Sequence, residues 1–153
     1  MKKAKIGIIT SKGGHLYEII QLKKLFEKKP HFWITSEGKD VEYYLVGEKK
    51  YTGYFPESRN IPNFIKNAFL AIKIFSKEKP QILISCGAGI AVPFFLIGKY
   101  VFKTKLIYIE PFFFVSYPSL TGKLLYKHAD LFLIQHECQK LWFPKAKHWG
   151  SLL

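Results

Sequence analysis

His15 closes the segment Ser11-Lys12-Gly13-Gly14-His15, whose residues suit recognition of an anion. Gly13 and Gly14 let the backbone turn tightly and bring its N–H groups close to a ligand. Lys12 adds a full positive charge, and a helix starting at the glycines adds a partial one. Phosphate or diphosphate is the ligand such a turn suits. The spacing is not that of a Walker loop, which ends in Lys followed by Ser or Thr. An imidazole with an ordinary pKa of about 6.5 either donates to a diphosphate or takes a proton from a hydroxyl. Glu18 follows at helical spacing, where it could orient that ring. Without a ligand, the same residues make a strand-to-helix turn in which His15 caps the helix.

Two further segments have the same strand-to-loop character. In 85–93, Gly87 and Gly89 sit among small residues, which admit either a ligand or a closely packed helix. Cys86 has no histidine and acid beside it in sequence, so it is not read as a nucleophile. In 110–119, Glu110 ends an apolar run, where a carboxylate can bind ligand hydroxyls, act as a base, or simply cap and pair. Phe112, Phe113 and Phe114 follow, too apolar for an ordinary solvated loop. They would enter a bilayer interface, cover a lipid tail, or fold back into the core.

The apolar pattern supplies elements to hold these segments. Strands are expected at 4–10, 31–35, 50–55, 81–85, 105–109 and 130–135, with a last one near Lys147. Helices are expected at 14–28, 39–46, 63–77, 89–102 and 119–127, with a short one from Glu137. Leu16, Ile19, Ile20, Leu22, Leu25 and Phe26 share one broad face of the first helix, and Pro62 opens the 63–77 helix. This alternation means βαβ units and an α/β fold: a single Rossmann-like domain over 1–153, its mostly parallel sheet covered by helices on both faces. Ligands in such folds sit at the carboxyl ends of the strands, where the three segments converge.

Composition narrows the partners. The 153 residues are 48% hydrophobic and 23% charged, a globular balance. Aromatics reach 17%, more than a small core comfortably hides. Lys and Arg number 24 against 11 Asp and Glu, a net charge of +13, and Arg59 is the only arginine. Such a field attracts nucleic acid, anionic lipid or phosphorylated substrates. Base readout leans on arginine, so a lysine field fits phosphate headgroups better, and nucleic acid is not an expected partner. Lys66, Lys73 and Lys77 form a narrow stripe on the 63–77 helix, with Phe64, Ile65, Phe69, Ile72 and Phe75 around the rest. That pattern suits a helix lying on an anionic membrane, or a core helix with a solvated lysine edge. Two isolated cysteines make no disulfide framework, so the cytosolic side is favoured. The run 6–10 is too short for a signal-peptide core. The uncharged stretch 82–98 approaches the roughly 20 residues of a membrane span, but its serine, glycines and proline divide it into strand, loop and helix. No cofactor or metal is expected.

Several stretches occur in one order. They are Ser11-Lys12-Gly13-Gly14-His15 with Glu18, 31–35, Arg59-Asn60, 86–95, Tyr108-Ile109-Glu110, 118–123, 129–132 and Gly150-Ser151-Leu152. The set resembles the small glycosyltransferase subunits of bacterial polysaccharide synthesis of the PssD, EpsE and CpsF type. These are relatives of the subunit that recruits the second N-acetylglucosaminyltransferase of dolichol-linked glycan synthesis. The family looks like the N-terminal half of a GT-B enzyme such as MurG.

The resemblance implies an acceptor-binding subunit of a two-chain hexosyltransferase, inactive without a separate donor-binding partner that holds most of the UDP-sugar. The acceptor would be a lipid-diphosphate-linked sugar, in capsular or exopolysaccharide synthesis. His15 and Glu110 would be catalytic. Ser11, Lys12, Gly13, Gly14, Gly87 and Gly89 would meet the acceptor and its phosphates. Lys66, Lys73, Lys77, Phe112, Phe113 and Phe114 would face the membrane, and the C-terminal tail would dock on the partner. Where relatives often carry basic residues after the Glu110 position, this chain has Phe114 and Ser116. Eukaryotic relatives carry an N-terminal span; here peripheral attachment at the cytoplasmic face of the plasma membrane is expected. The alternative is a non-catalytic membrane adaptor that recruits and enhances a separate catalytic subunit.

Overall fold

The computed structural model describes residues 4–153. Its strands are β1 (Ile6–Ile9), β2 (His31–Thr35), β3 (Lys50–Thr52), β4 (Ile82–Ser85), β5 (Lys105–Ile109), β6 (Leu131–Ile134) and β7 (Lys147–His148). The helices are α1 (Gly14–Ile20), α2 (Lys23–Phe26), α3 (Lys39–Tyr44), α4 (Ile61–Glu78), α5 (Ala91–Tyr100) and α6 (Leu120–Leu125), with a 3-10 turn at Glu137–Leu141. All seven strands pair in parallel, in the order β3-β2-β1-β4-β5-β6-β7. The expected α/β fold is the observed one.

Two cores flank the sheet. On one face Leu16, Ile19, Phe26 and Val41 from α1 to α3 pack against Ile8, Trp33 and Ile109. On the other, Ala71, Ile74, Phe75, Phe94, Phe95 and Leu125 from α4 to α6 pack against Phe32, Leu83, Leu106 and Tyr108. Burial on both sides is what apolar parallel strands require. Each fully buried Leu, Ile or Phe contributes about 1.5–3 kcal/mol of transfer free energy.

The chain winds from β1 outward to β3, then returns to place β4 on the other side of β1. That reversal opens a crevice beyond the carboxyl ends of β1 and β4. Ser11 to His15 leaves β1 there, and Cys86 to Gly89 leaves β4 there. A third wall comes from α4. Asn60 caps it by accepting from the Asn63 N–H at 2.9 Å, Pro62 lies in its first turn, and Lys79 ends it in a left-handed conformation (φ 49°). Asn67, buried on α4, clamps the preceding loop by bonding both the N–H (2.8 Å) and the carbonyl (3.0 Å) of Tyr54.

The helix expected at 14–28 is two short ones. At Gln21 and Leu22 the backbone bonds tighten to the third residue back, Glu18 and Ile19. Three residues per turn rotate later side chains away from the 3.6-residue stripe. Leu25, expected on the core face, is therefore 67% exposed. The strand expected at 50–55 stops at Thr52. No helix among the described residues is long and apolar enough to cross a membrane.

Candidate functional site

The crevice is a cleft of about 680 Å³. Its walls come from the loops after β1, β4 and β5, from residues 57–61 and Phe64 entering α4, and from Leu120, Thr121 and Leu124 of α6. Buried Gly87 and half-buried His15 lie deep in it. Ile61 (73% exposed), Leu120 (59%) and Leu124 (50%) line its open side.

His15 is the chemically distinctive group. Its Nδ1 lies 2.8 Å from the carbonyl oxygen of Cys86. A carbonyl only accepts, so Nδ1 carries the proton and Nε2 is left with a lone pair. Burial pulls the imidazole pKa below its ordinary value, opposed by the Cys86 carbonyl and by the charges of Glu18 and Glu57. The ring is therefore neutral at pH 7, with one nitrogen able to accept a proton. Gly87 makes this fit possible. Its φ is +87°, and a Cβ there would lie 2.6 Å from His15 Cε1 and 2.6 Å from Pro111 Cγ.

Glu18 makes no direct hydrogen bond to the imidazole, contrary to its expected role. It lies on the inward face of α1, so its carboxylate meets donors under the strand ends: Cys86 Sγ at 2.8 Å, Gln135 Nε2 at 2.8 Å and Phe112 N at 3.1 Å. The backbone of Cys86 holds His15 instead. Burial, with Glu18 beside it, pushes the Cys86 thiol well above its usual range, which keeps it protonated.

The anion-binding turn divides. His15 lines the cleft with Gly87 and Gly89, but Ser11, Lys12, Gly13 and Gly14 do not. The Lys12 N–H donates to Ser36 Oγ at 2.9 Å, and the Gly13 N–H to Asp40 Oδ2 at 2.6 Å. Both amides are thus occupied from the α3 side. Gly14 is exposed beside the Phe113 ring. No side chain caps the first turn of α1.

Glu110 is fully buried and does not line the cleft. Its carboxylate accepts from Ser119 N at 2.7 Å and Ser119 Oγ at 2.9 Å, and that same hydroxyl accepts from Gly122 N at 2.8 Å to cap α6. Burial raises its pKa, while the bonds from Ser119 work in the other direction. In this conformation Glu110 anchors a wall of the cleft and touches no solvent from which an acceptor could approach.

The three phenylalanines also separate. Phe112 turns inward against the His136 ring, at 4.5 Å between centroids, and its carbonyl lies 2.8 Å from His136 Nε2. Phe114 lines the cleft. Phe113 alone is exposed, packing edge-on to His15 at 6.0 Å. The chain turns here, with Phe114 N bonded to the Pro111 carbonyl at 3.3 Å, and this turn sends the three rings apart, so they do not form one apolar tip. Lys66, Lys73 and Lys77 are all exposed on α4. Beside them runs an apolar stripe of Ile61, Ile65, Phe69 and Ile72, also exposed.

Glu57, Ser58 and Arg59 lie in the cleft and were not singled out as site residues. Arg59 holds a left-handed φ of 52°. Two signals mark Arg59 in the sequence: it is the sole arginine, and Arg59-Asn60 is one of the stretches that carry the family resemblance. Among the described residues, no cluster of three or more His, Cys, Asp or Glu is placed to hold a metal ion.

Residues 56–152 match the family described as oligosaccharide biosynthesis protein Alg14 like. The chain belongs to the Alg14-like family. The match takes in Gly87, Glu110 and the tail, while His15 lies before it. One Alg14-like relative is the UDP-N-acetylglucosamine transferase subunit ALG14 of Candida albicans, 24% identical over all of this chain and 80% of that protein. Another relative is the UDP-N-acetylglucosamine–N-acetylmuramyl-(pentapeptide) pyrophosphoryl-undecaprenol N-acetylglucosamine transferase of Staphylococcus epidermidis. It is 26% identical over 74% of this chain and 31% of that enzyme. The crystal structure of MurG from Acinetobacter baumannii superposes with a TM-score of 0.78 at 14% identity, covering 97% of this chain and 45% of MurG. This Alg14-like chain therefore has the fold of half of a MurG-like GT-B glycosyltransferase.

Proposed function

We propose that this chain is the acceptor-binding subunit of a two-chain glycosyltransferase, with a separate donor-binding chain holding the nucleotide sugar. The observation that carries the reading is a cleft with polar groups deep in it and apolar groups on its open side. His15 and Gly87 supply the first, with Glu57 half-buried beside them; Ile61, Phe64, Leu120 and Leu124 supply the second, together with the exposed Arg59. That open side continues into the exposed stripe of Ile65, Phe69 and Ile72 on α4. A lipid-diphosphate-linked sugar has the same order of parts. Its diphosphate would meet Gly87, Gly89 and Arg59, its sugar would reach His15, and its lipid would leave along α4 and α6. Lys66, Lys73 and Lys77, with exposed Phe113, would rest on an anionic membrane surface, as a peripheral protein of the cytoplasmic face.

In this reading Nε2 of His15 takes the proton from an acceptor hydroxyl. The oxygen attacks the anomeric carbon of the donor, the bond to the nucleoside diphosphate breaks, and the configuration inverts. Glu110 holds the Ser119 turn and α6, and through them the apolar wall. The finer assignment is to bacterial subunits of the PssD, EpsE and CpsF type, which add a hexose in capsular or exopolysaccharide synthesis.

The test is labelled sugar transfer into a lipid-linked acceptor by membranes carrying this chain, its donor-binding partner, or both. Transfer that needs both chains, and fails with His15→Ala, supports the reading. Transfer by the partner alone at full rate overturns it and leaves a non-catalytic adaptor. One observation favours that second reading: the Lys12 and Gly13 amides are already occupied, which leaves fewer donors for a diphosphate.

A further inference from the structure

Gln135 follows β6 and lies outside the cleft lining, yet its buried side chain is used at both ends. Nε2 donates to Glu18 Oε2 at 2.8 Å and to the Glu110 carbonyl at 3.0 Å. Oε1 accepts from the Leu152 N–H at 2.8 Å, with Ser151 Oγ at 3.4 Å. The next links lead to the cleft. Glu18, fully buried, accepts from Cys86 Sγ at 2.8 Å and from Phe112 N. The Cys86 carbonyl then receives the His15 Nδ1 proton at 2.8 Å. Four hydrogen-bonded steps thus connect the backbone of the tail to the ring that faces the cleft.

We propose that Gln135 is a positioning residue for His15, through which docking of the 151–153 segment sets which ring nitrogen carries the proton. The inference rests on the reading of His15 as a base. Its physical basis is the cost of an unmet buried acceptor. If Leu152 leaves, Gln135 Oε1 loses its backbone donor and the amide is free to turn. Glu18 then loses a donor and recovers one by turning or by admitting water, which loosens Cys86. Once the Cys86 carbonyl moves, nothing holds the proton on Nδ1, and the imidazole takes either tautomer. A base needs the Nε2 lone pair, so a docked tail keeps the ring competent. Leu152 also packs against the core that contains Leu16, Cys86 and Ile109, so its position is sensed by packing as well.

The experiment uses the full chain with 15N-labelled histidine, with Leu152→Pro and Gln135→Met as variants. Leu152→Pro removes the tail donor without touching His15 or the cleft; Gln135→Met keeps the length of the side chain and removes its polar atoms. Thermal melting identifies the folded variants. The unaltered chain is expected to show one neutral tautomer of His15, protonated at Nδ1. Each folded variant is expected to show a second population protonated at Nε2, and a transfer rate with the partner lowered at least about tenfold. Should Gln135→Met unfold, Leu152→Pro at the surface end of the network reads the same tautomer. Folded variants that keep Nδ1–H alone overturn the proposal. A shifted tautomer with an undiminished transfer rate sustains the coupling and overturns the assignment of His15 as the base.

Discussion

Gly87→Ala separates the cost of a left-handed backbone from the cost of moving His15. Gly87 has φ +87°, and Gly47, remote from the cleft between α3 and β3, has φ +73°. Forcing alanine into either conformation costs about 1–2 kcal/mol. Only the surroundings differ. A Cβ on Gly47 meets nothing within 4 Å, whereas one on Gly87 lies 2.6 Å from both His15 Cε1 and Pro111 Cγ. Carbon atoms pack at about 3.5–4.0 Å, so the imidazole must retreat by about 1 Å. Its 2.8 Å bond to the Cys86 carbonyl is then lost. Misplacing a reacting group by about 1 Å costs on the order of 100-fold in rate. The assay is sugar transfer by the assembled two-chain enzyme, with urea unfolding run on both variants. Gly87→Ala is expected to lose more stability than Gly47→Ala, because the clash adds about 1–3 kcal/mol to the shared backbone strain, and only Gly87→Ala should lose about 100-fold in kcat/KM. A folded Gly87→Ala within about threefold of the unaltered rate, or an equal loss in Gly47→Ala, would refute the argument that this contact holds the base.

The remaining expectations concern pH, charge and the membrane. A base acts when neutral, and burial lowers the His15 pKa, so kcat/KM should persist as pH falls through 6.5 and decline only below it; an acid limb above 6.5 contradicts this. Burial alone would raise the Glu78 carboxyl, but Lys49, Lys5 and Tyr51 bring it from 4.5 to about 2. With screening at the partly exposed lysines, this contributes about 1–2 kcal/mol. The contribution is present above pH 4.5 and is lost as pH falls from 4.5 towards 2. Urea midpoints of Glu78→Gln should therefore be lower at pH 7 and flatter across that window. Replacing Lys66, Lys73 and Lys77 with glutamine should weaken co-sedimentation with anionic vesicles by about 100-fold, at about 1 kcal/mol per lysine. Unchanged binding would place the membrane-facing surface elsewhere.

How much could be read along the chain depends on how local the cause is. The parallel sheet was legible because apolar runs such as 82–84 and 106–109 alternate with helical stretches, and burial on both faces leaves that pattern in sequence. The start of α4 was legible from Pro62, since its cap and first turn lie within a few residues. His15 and Gly87 were legible as loop residues beside strand ends, where this fold binds ligands. The break after Ile20 was not, because the tightening at Gln21 and Leu22 leaves no mark in the apolar spacing.

Sequence by itself determined the α/β class, the glycine-flanked histidine and the lysine excess, because composition and period are properties of neighbours. Only the tertiary structure decided what those groups face. Strand order brought Cys86 to His15 across 71 positions and Gln135 to Glu18 across 117. It sent Glu110 into the core under Ser119, and it filled the Gly13 amide with Asp40. Polar side chains in a parallel sheet find partners at adjacent strand ends, and adjacency there follows the winding of the sheet.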